Sequence, residues 1–177
     1  MEYTKEELFD LIINKPEKYN EWKSNYEEEV DLTELDFSSQ TIENVNFENA
    51  DLSGSSFADC HLTEVNFRNT ESTAVDFTRS ILIECDFSDG LLTGADFSYA
   101  TVNYCNFSES DMAGVIFQET NLEDSDLSSS INLTACRFDD DTIWPDQDKL
   151  PEDFDGKYAD DLSSLKDDDD ENSISDY

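Results

Sequence analysis

Residues 30–70 read VDLTELDFSSQTIENVNFENADLSGSSFADCHLTEVNFRNT, and every fifth residue from Leu32 is large and apolar: Phe37, Ile42, Phe47, Leu52, Phe57, Leu62 and Phe67. The series runs on through Phe77, Leu82, Phe87, Leu92, Phe97, Val102, Phe107, Met112, Phe117, Leu122 and Leu127. Ser72 is its one polar member. An extra residue near Ser130 shifts the frame, which resumes at Leu133, Phe138 and Ile143. A period of five fits neither an α-helix nor a flat two-faced strand. Sustained self-similarity at a fixed period is the mark of a solenoid.

Two positions before each large residue stands a small or β-branched one, such as Val45, Ala50, Ser55, Cys60, Val65 or Thr70. Just before the large residue the chain prefers Asp, Asn or Ser, as at Asp36, Asn46, Asp51, Ser56, Asn66, Asp76 and Asp86. This small–Asp/Asn–Leu/Phe–x–x unit resembles that of the pentapeptide-repeat family and covers about two thirds of the chain. The resemblance implies an all-β fold, a right-handed quadrilateral β-helix. Each unit would form one side, and four units would close a square coil. Two positions of each unit face inward, and three face outward or make the corner.

Four units per coil place residues twenty apart directly above one another. Phe37, Phe57, Phe77, Phe97 and Phe117 then form one core column, and Phe47, Phe67, Phe87 and Phe107 the opposite one. A strand spacing of about 4.8 Å suits stacked rings. Ser72 breaks this core, and a void, a bulge or a bound water is expected there, with Glu71 or Thr73 as hydrogen-bond partner.

The organisation expected is a helical N-terminal cap over residues 1–29, a β-helix of about six coils over 30–145, a C-terminal cap or extension over 146–166, and a disordered acidic tail over 167–177. Thr4 to Glu7 has capping-box spacing. Leu8, Leu11 and Ile12 follow as one apolar stripe, and Pro16 suits the start of a second helix bearing Tyr19, Trp22 and Tyr26. A β-helix ends in an open hydrophobic cross-section that needs cover. The leader also resembles that of some bacterial members of the family. Trp144 and Pro145 are expected to close the last coil, and the run KDDDDENSISDY is too charged to pack.

Chemistry is sparse. The one histidine, His61, falls on an outward position, and no nucleophile–base set, Cys/His metal spacing or phosphate-cradling glycine motif occurs. No enzyme activity, cofactor or metal is expected; stacked acids such as Asp76 and Asp96 are read as bonding local backbone rather than Ca²⁺. Cys60, Cys85, Cys105 and Cys136 all take the small inward position and read as buried free thiols. With no apolar run approaching a membrane span and an acidic start unlike a signal peptide, the expected compartment is the cytoplasm.

Charge points to a partner. The full chain carries a formal net charge of −35, and residues 30–145 hold 23 acids against 3 bases. Over a rod of roughly 28 Å this is about one negative charge per 1.4 Å, against one per ~1.7 Å in duplex DNA. Direct nucleic-acid binding and membrane association are not expected; a protein partner is. The resemblance implies a candidate, because quinolone-resistance members of the family are regarded as DNA mimics that occupy the DNA-binding saddle of gyrase. This chain is similar in coil type and charge, and departs in its helical leader, its acidic tail and its want of long loops. A second outward feature is apolar: Arg79, Ile81, Ile83, Tyr99 and Tyr104 would form one interaction patch, with Arg79 and Tyr99 stacked at a corner. It suits a structural scaffold or a self-associating protein as the alternative reading.

Overall fold

In the computed structural model, residues 3–26, 28–154 and 160–161 are described. The acidic run over 167–177 lies outside them.

One repeat, Ala95 to Tyr99, shows why five residues suffice for a side. Ala95 N–H donates to the Leu92 carbonyl at 2.9 Å, closing the previous corner. Asp96 N–H reaches down one coil to Val75 at 2.9 Å, while Phe97 and Tyr99 reach up to Ile116 and Gln118, both at 2.8 Å. The remaining donor, Ser98 N–H, goes to the Asp96 carboxylate at 2.8 Å. All five backbone donors are therefore satisfied. The same side-chain bond recurs at Asp36, Asn46, Asp51, Asn66, Asp76, Asp86 and Asn106, which is the physical reason for the Asp/Asn preference. Tyr99 then adopts φ 63°, and the corner residue of every unit from Glu34 to Glu119 shares that left-handed backbone.

Parallel bridges join residues twenty apart from Asp36↔Ser56 to Asp111↔Ile131. Four five-residue sides thus make each coil of a quadrilateral β-helix. The sides are numbered here by their first large residues: side 1 from Leu32, side 2 from Phe37, side 3 from Ile42 and side 4 from Phe47. Side 3 differs. Its strands Thr41–Glu43, His61–Thr63, Ile81–Ile83 and Thr101–Asn103 form a four-stranded parallel sheet. The residue before the large one is Thr41, His61, Ile81 and Thr101 in turn, with no Asp or Asn side chain to take the N–H two residues on, and a three-residue extended run forms on this side, whereas Glu71, Leu91 and Ile116 on sides 1 and 2 make only single bridges. At Asn121 the side-chain bond returns, to Glu123 N–H at 2.9 Å, and the strand shortens to a single bridge.

Every large inward residue from Leu32 to Leu127 is at most 2% exposed. Within each phenylalanine column the rings stack at 4.7–5.6 Å. Across the axis the two columns also meet edge to face at 5.6–6.1 Å, so the core is one continuous aromatic lattice. Hydroxyls and thiols at the small inward position donate to carbonyls of the coil: Ser55 to Leu32 at 2.8 Å, Cys60 to Phe37 at 2.9 Å and Ser80 to Phe77 at 2.6 Å. The four cysteines are buried and free.

Two helices precede the coils, α1 (Lys5–Asn14) and α2 (Pro16–Lys23). Thr4 and Glu7 make a reciprocal capping box. Phe9 stacks on Phe37 at 5.0 Å and Tyr19 lies 6.1 Å from Phe47, so the helices extend both columns. The Asn20 side chain donates to Asn44 carbonyl at 2.7 Å and accepts Asn46 N–H at 2.9 Å, doing what a lower coil does elsewhere. Lys5 reaches Asp31 at 2.7 Å. The hydrogen bond from Lys5, with those from Thr33, holds the Asp31 carboxyl down at about 2.

The last coil departs from the sequence reading. Beyond Asn132, at φ 60°, the register is Ile116↔Arg137 and then Asn121↔Ile143. A second extra residue has entered near the Asp139–Thr142 turn, so the frame does not resume at Ile143. Ile143 is 49% exposed. Trp144 takes the inward place instead, 5.7 Å from Phe117 and 5.4 Å from Phe138. Nor does the coil stop at Pro145: Leu127 N–H donates to Lys149 carbonyl at 2.9 Å, and Leu150, 8% exposed, fills the fourth side. Phe154 then packs on Trp144 at 4.9 Å.

Ser72 is fully buried without a bulge. Leu52 N–H donates to Glu71 carbonyl at 2.7 Å and Ser72 N–H to Leu91 carbonyl at 2.8 Å, the regular pattern. Its hydroxyl lies 3.0 Å from Thr70 Oγ1 rather than against Glu71 or Thr73. Thr70 keeps its own acceptor, Phe67 carbonyl at 2.7 Å. Ser72→Leu, stacked between Leu52 and Leu92, is expected to stabilise by about 1–2 kcal/mol. Equilibrium denaturation checks this, and a lower midpoint at unchanged slope would show that the core is overpacked.

On side 4, Asn106 Nδ2 donates to the Asp86 carboxylate one coil below at 3.1 Å. On side 2, two carboxylates, Asp76 and Asp96, occupy the equivalent stacked positions. Asp96→Asn keeps the bond to Ser98 and adds the missing donor. A gain of about 0.5–1 kcal/mol is expected, larger at low salt, and a melting temperature lower than that of the wild type would contradict it.

Candidate functional site

The outward positions divide into two surfaces of different character. The first is acidic and wraps the rod. Asp31, Glu34, Asp51 and Glu71 lie on side 1; Asp36, Asp76 and Asp96 on side 2; Glu43, Glu64 and Glu84 on side 3; Glu48, Asp86 and Asp89 on side 4. Acids at the position before the large residue are pinned by the N–H two residues on, at 2.8–3.0 Å for Asp36, Asp76, Asp86 and Asp96. The charge is therefore held in register with the coil. Two of the arginines are drawn onto it: Arg68 lies 2.9 Å from Asp89, and Arg79 clamps Asp59 through two bonds of 2.8 and 2.9 Å. Hydrogen bonding to that guanidinium, above all, lowers the Asp59 carboxyl below its usual range.

The second surface is the middle of side 3. Ile81 and Ile83 are half-buried on adjacent outward positions of one strand. Tyr99, 49% exposed, stands at the corner before this side, and Tyr104, 62% exposed, at the corner after it. The five residues of the apolar patch thus share one side and its two corners. Arg79 and Tyr99 occupy the same corner in successive coils, and the Arg79 guanidinium is bonded to Asp59, in the coil below. The side-chain bonds of Arg79 depend on an acid twenty residues earlier, at the same corner one coil below.

His61 is exposed on side 3, paired with Thr41 and Ile81 across the sheet. Burial raises the thiols of Cys60, to about 11, and of Cys136, to about 12, which suits packing rather than nucleophilic chemistry. One feature lay beyond the sequence reading. Glu119, Asp139 and Asp141 bring carboxylate oxygens within 4.8 Å of one another where the last coil departs from register. Asp139 Oδ1 there accepts the N–H of Glu119 at 3.0 Å and of Asp141 at 3.2 Å, and the Thr142 hydroxyl at 3.2 Å. This network braces the irregular turn. Its only sequence signal is the acid-rich break in the five-residue frame.

The backbone pattern has counterparts among known proteins. A model of the pentapeptide repeat region matches residues 23–97, and a model of eight pentapeptide repeats matches residues 91–128. Similar solved structures include the plasmid-mediated fluoroquinolone resistance protein QnrB1, 17% identical over 63% of this chain and 70% of that one, with a TM-score of 0.45. They also include HetL, involved in heterocyst differentiation regulation in the cyanobacterium Nostoc, 15% identical over 68% and 63% of the two chains, TM-score 0.37. A thylakoid-lumen protein of Arabidopsis thaliana is 26% identical over 56% and 66%, TM-score 0.25. No curated protein matches the chain. With its five-residue frame, its twenty-residue register and two matching repeat models, the chain belongs to the pentapeptide-repeat family.

Proposed function

We propose that this chain is a non-enzymatic, acidic protein-interaction module that presents duplex-like charge to the DNA-binding surface of an enzyme such as gyrase. The observation that carries the reading is the density and fixity of the acids. Twenty-three acids against 3 bases over residues 30–145, spread along six coils of about 4.8 Å each, give an axial charge density close to that of DNA. The aromatic lattice makes the rod stiff, so little ordering cost accompanies binding. The two N-terminal helices serve as the cap of the first coil. A basic groove would be steered to the rod from a distance, and counterion release would drive the contact. A cytoplasmic setting agrees with four cysteines held as free thiols.

Purified gyrase with relaxed plasmid gives the direct test. Supercoiling should fall on adding micromolar protein at low salt, and the effect should fade steeply as salt rises. Glu48→Lys with Glu109→Lys, both outward on side 4 and outside the turn bonds, should weaken it about tenfold or more. Absence of both inhibition and protection of gyrase at low salt would remove the mimic reading.

A further inference from the structure

We infer that side 3 carries a docking window for a cationic amphipathic segment of a partner protein, its apolar stripe seated on Ile81 and Ile83. The inference rests on the reading of the chain as an interaction module, and it does not depend on gyrase being the partner.

The argument starts from where acids are missing. The outward residues of the last three strands of side 3 are His61, Thr63, Ile81, Ile83, Thr101 and Asn103, with no carboxylate among them. Such a gap is notable on a chain of net charge −35. The strands are the regular ones, paired in continuous register, so the window is a flat sheet face with fixed side chains. Tyr99 and Tyr104 flank it at opposite corners and are 49% and 62% exposed. Aromatic rings beside aliphatic side chains on a rigid platform are the composition of a binding hot spot.

The rim decides the occupant. Glu64 and Glu84 lie below Tyr104 in its corner stack, Glu119 lies above Tyr99, and Glu43 and Glu123 bound the same face below and above. A second copy docking window to window would press two such acidic rims together, a like-charge arrangement costly at short range. An apolar stripe flanked by Lys or Arg meets both demands. The stripe covers the isoleucines, and the cations reach the rim and the tyrosine faces.

Two probes of equal charge separate this inference from general acidity: a helical Leu/Lys peptide with one leucine stripe, and an oligolysine. The Leu/Lys peptide should hold measurable affinity at roughly 0.5 M salt, where charge–charge attraction is screened, while oligolysine should not. Ile83→Asn with Tyr104→Ala should weaken the Leu/Lys peptide about tenfold and leave oligolysine unchanged, with the thermal melt confirming the fold. Glu64→Gln with Glu84→Gln, which leaves the window intact, should weaken both peptides. Equal salt loss for both probes, or no response to the window variant, would overturn the inference. So would a sedimenting dimer that the window variant dissolves, since a second copy would then be the occupant. A negative gyrase assay bears on none of these outcomes.

Discussion

In each five-residue unit, the N–H one residue past the large inward side chain has no carbonyl partner in a neighbouring coil wherever an Asp or Asn stands before that side chain. Ser98 is the example: its donor is satisfied by Asp96, at 2.8 Å. That short bond satisfies the donor beside the corner; the next residue lies in the left-handed region, on side 3 as on the others, and the corner turns the following unit onto a new side. The core follows from it. Once each side is five residues long, large residues fall into vertical files at the coil spacing, and phenylalanine on two opposite sides fills the axis from both directions. The contrast with side 3 makes the point from the other direction. Where Thr41, His61, Ile81 and Thr101 replace Asp or Asn, the chain keeps its corners but extends between them as strand.

The regular coils were legible because the five-residue frame runs unbroken for about a hundred residues and resembles a family in which four such units close a coil, so that residues twenty apart stack. Both phenylalanine columns and the buried thiols could be read that way, and the capping box at Thr4 from its own spacing to Glu7. The edge-to-face contacts across the axis could not, since they depend on ring size against coil width. Phe9 and Asn20 were missed because they act by analogy of shape, one as an extra ring on a column, the other as an amide standing in for backbone. No periodicity announces such a role. The C-terminal misreading has a different cause. Two single-residue insertions lie close together, and between Ile143 and Trp144 the choice of inward side chain turned on the second of them. The larger ring took the place beside Phe117 and Phe138.

For the candidate site, the sequence located the members of the patch and put them on one side with its corners. It did not show that Arg79 would be engaged by Asp59, which turns a cation of the patch into a local ion pair. Nor did composition reveal how the acids are distributed. Their total suggests an even coat, whereas stacking in register separates an acid-bearing perimeter from an acid-free face. On the reading proposed above, charge would attract at long range without selectivity, and the small apolar face would select one partner over another.

The fixed twenty-residue register also bears on how the molecule forms. Among the described residues every bond between coils closes a loop of about that length, and no pairing joins one end of the rod to the other. The entropy of closing each loop is therefore the same from Leu32 to Leu127, and it does not grow as the rod lengthens. Folding can start at any pair of adjacent coils and spread by accretion, each new coil templated by the one before it. Loss of structure runs the same path backwards, peeling from the ends. Phe9 stacked on Phe37 and Phe154 packed on Trp144 stand where that peeling would begin, so these end contacts govern the lifetime of the whole rod more than their share of buried surface suggests.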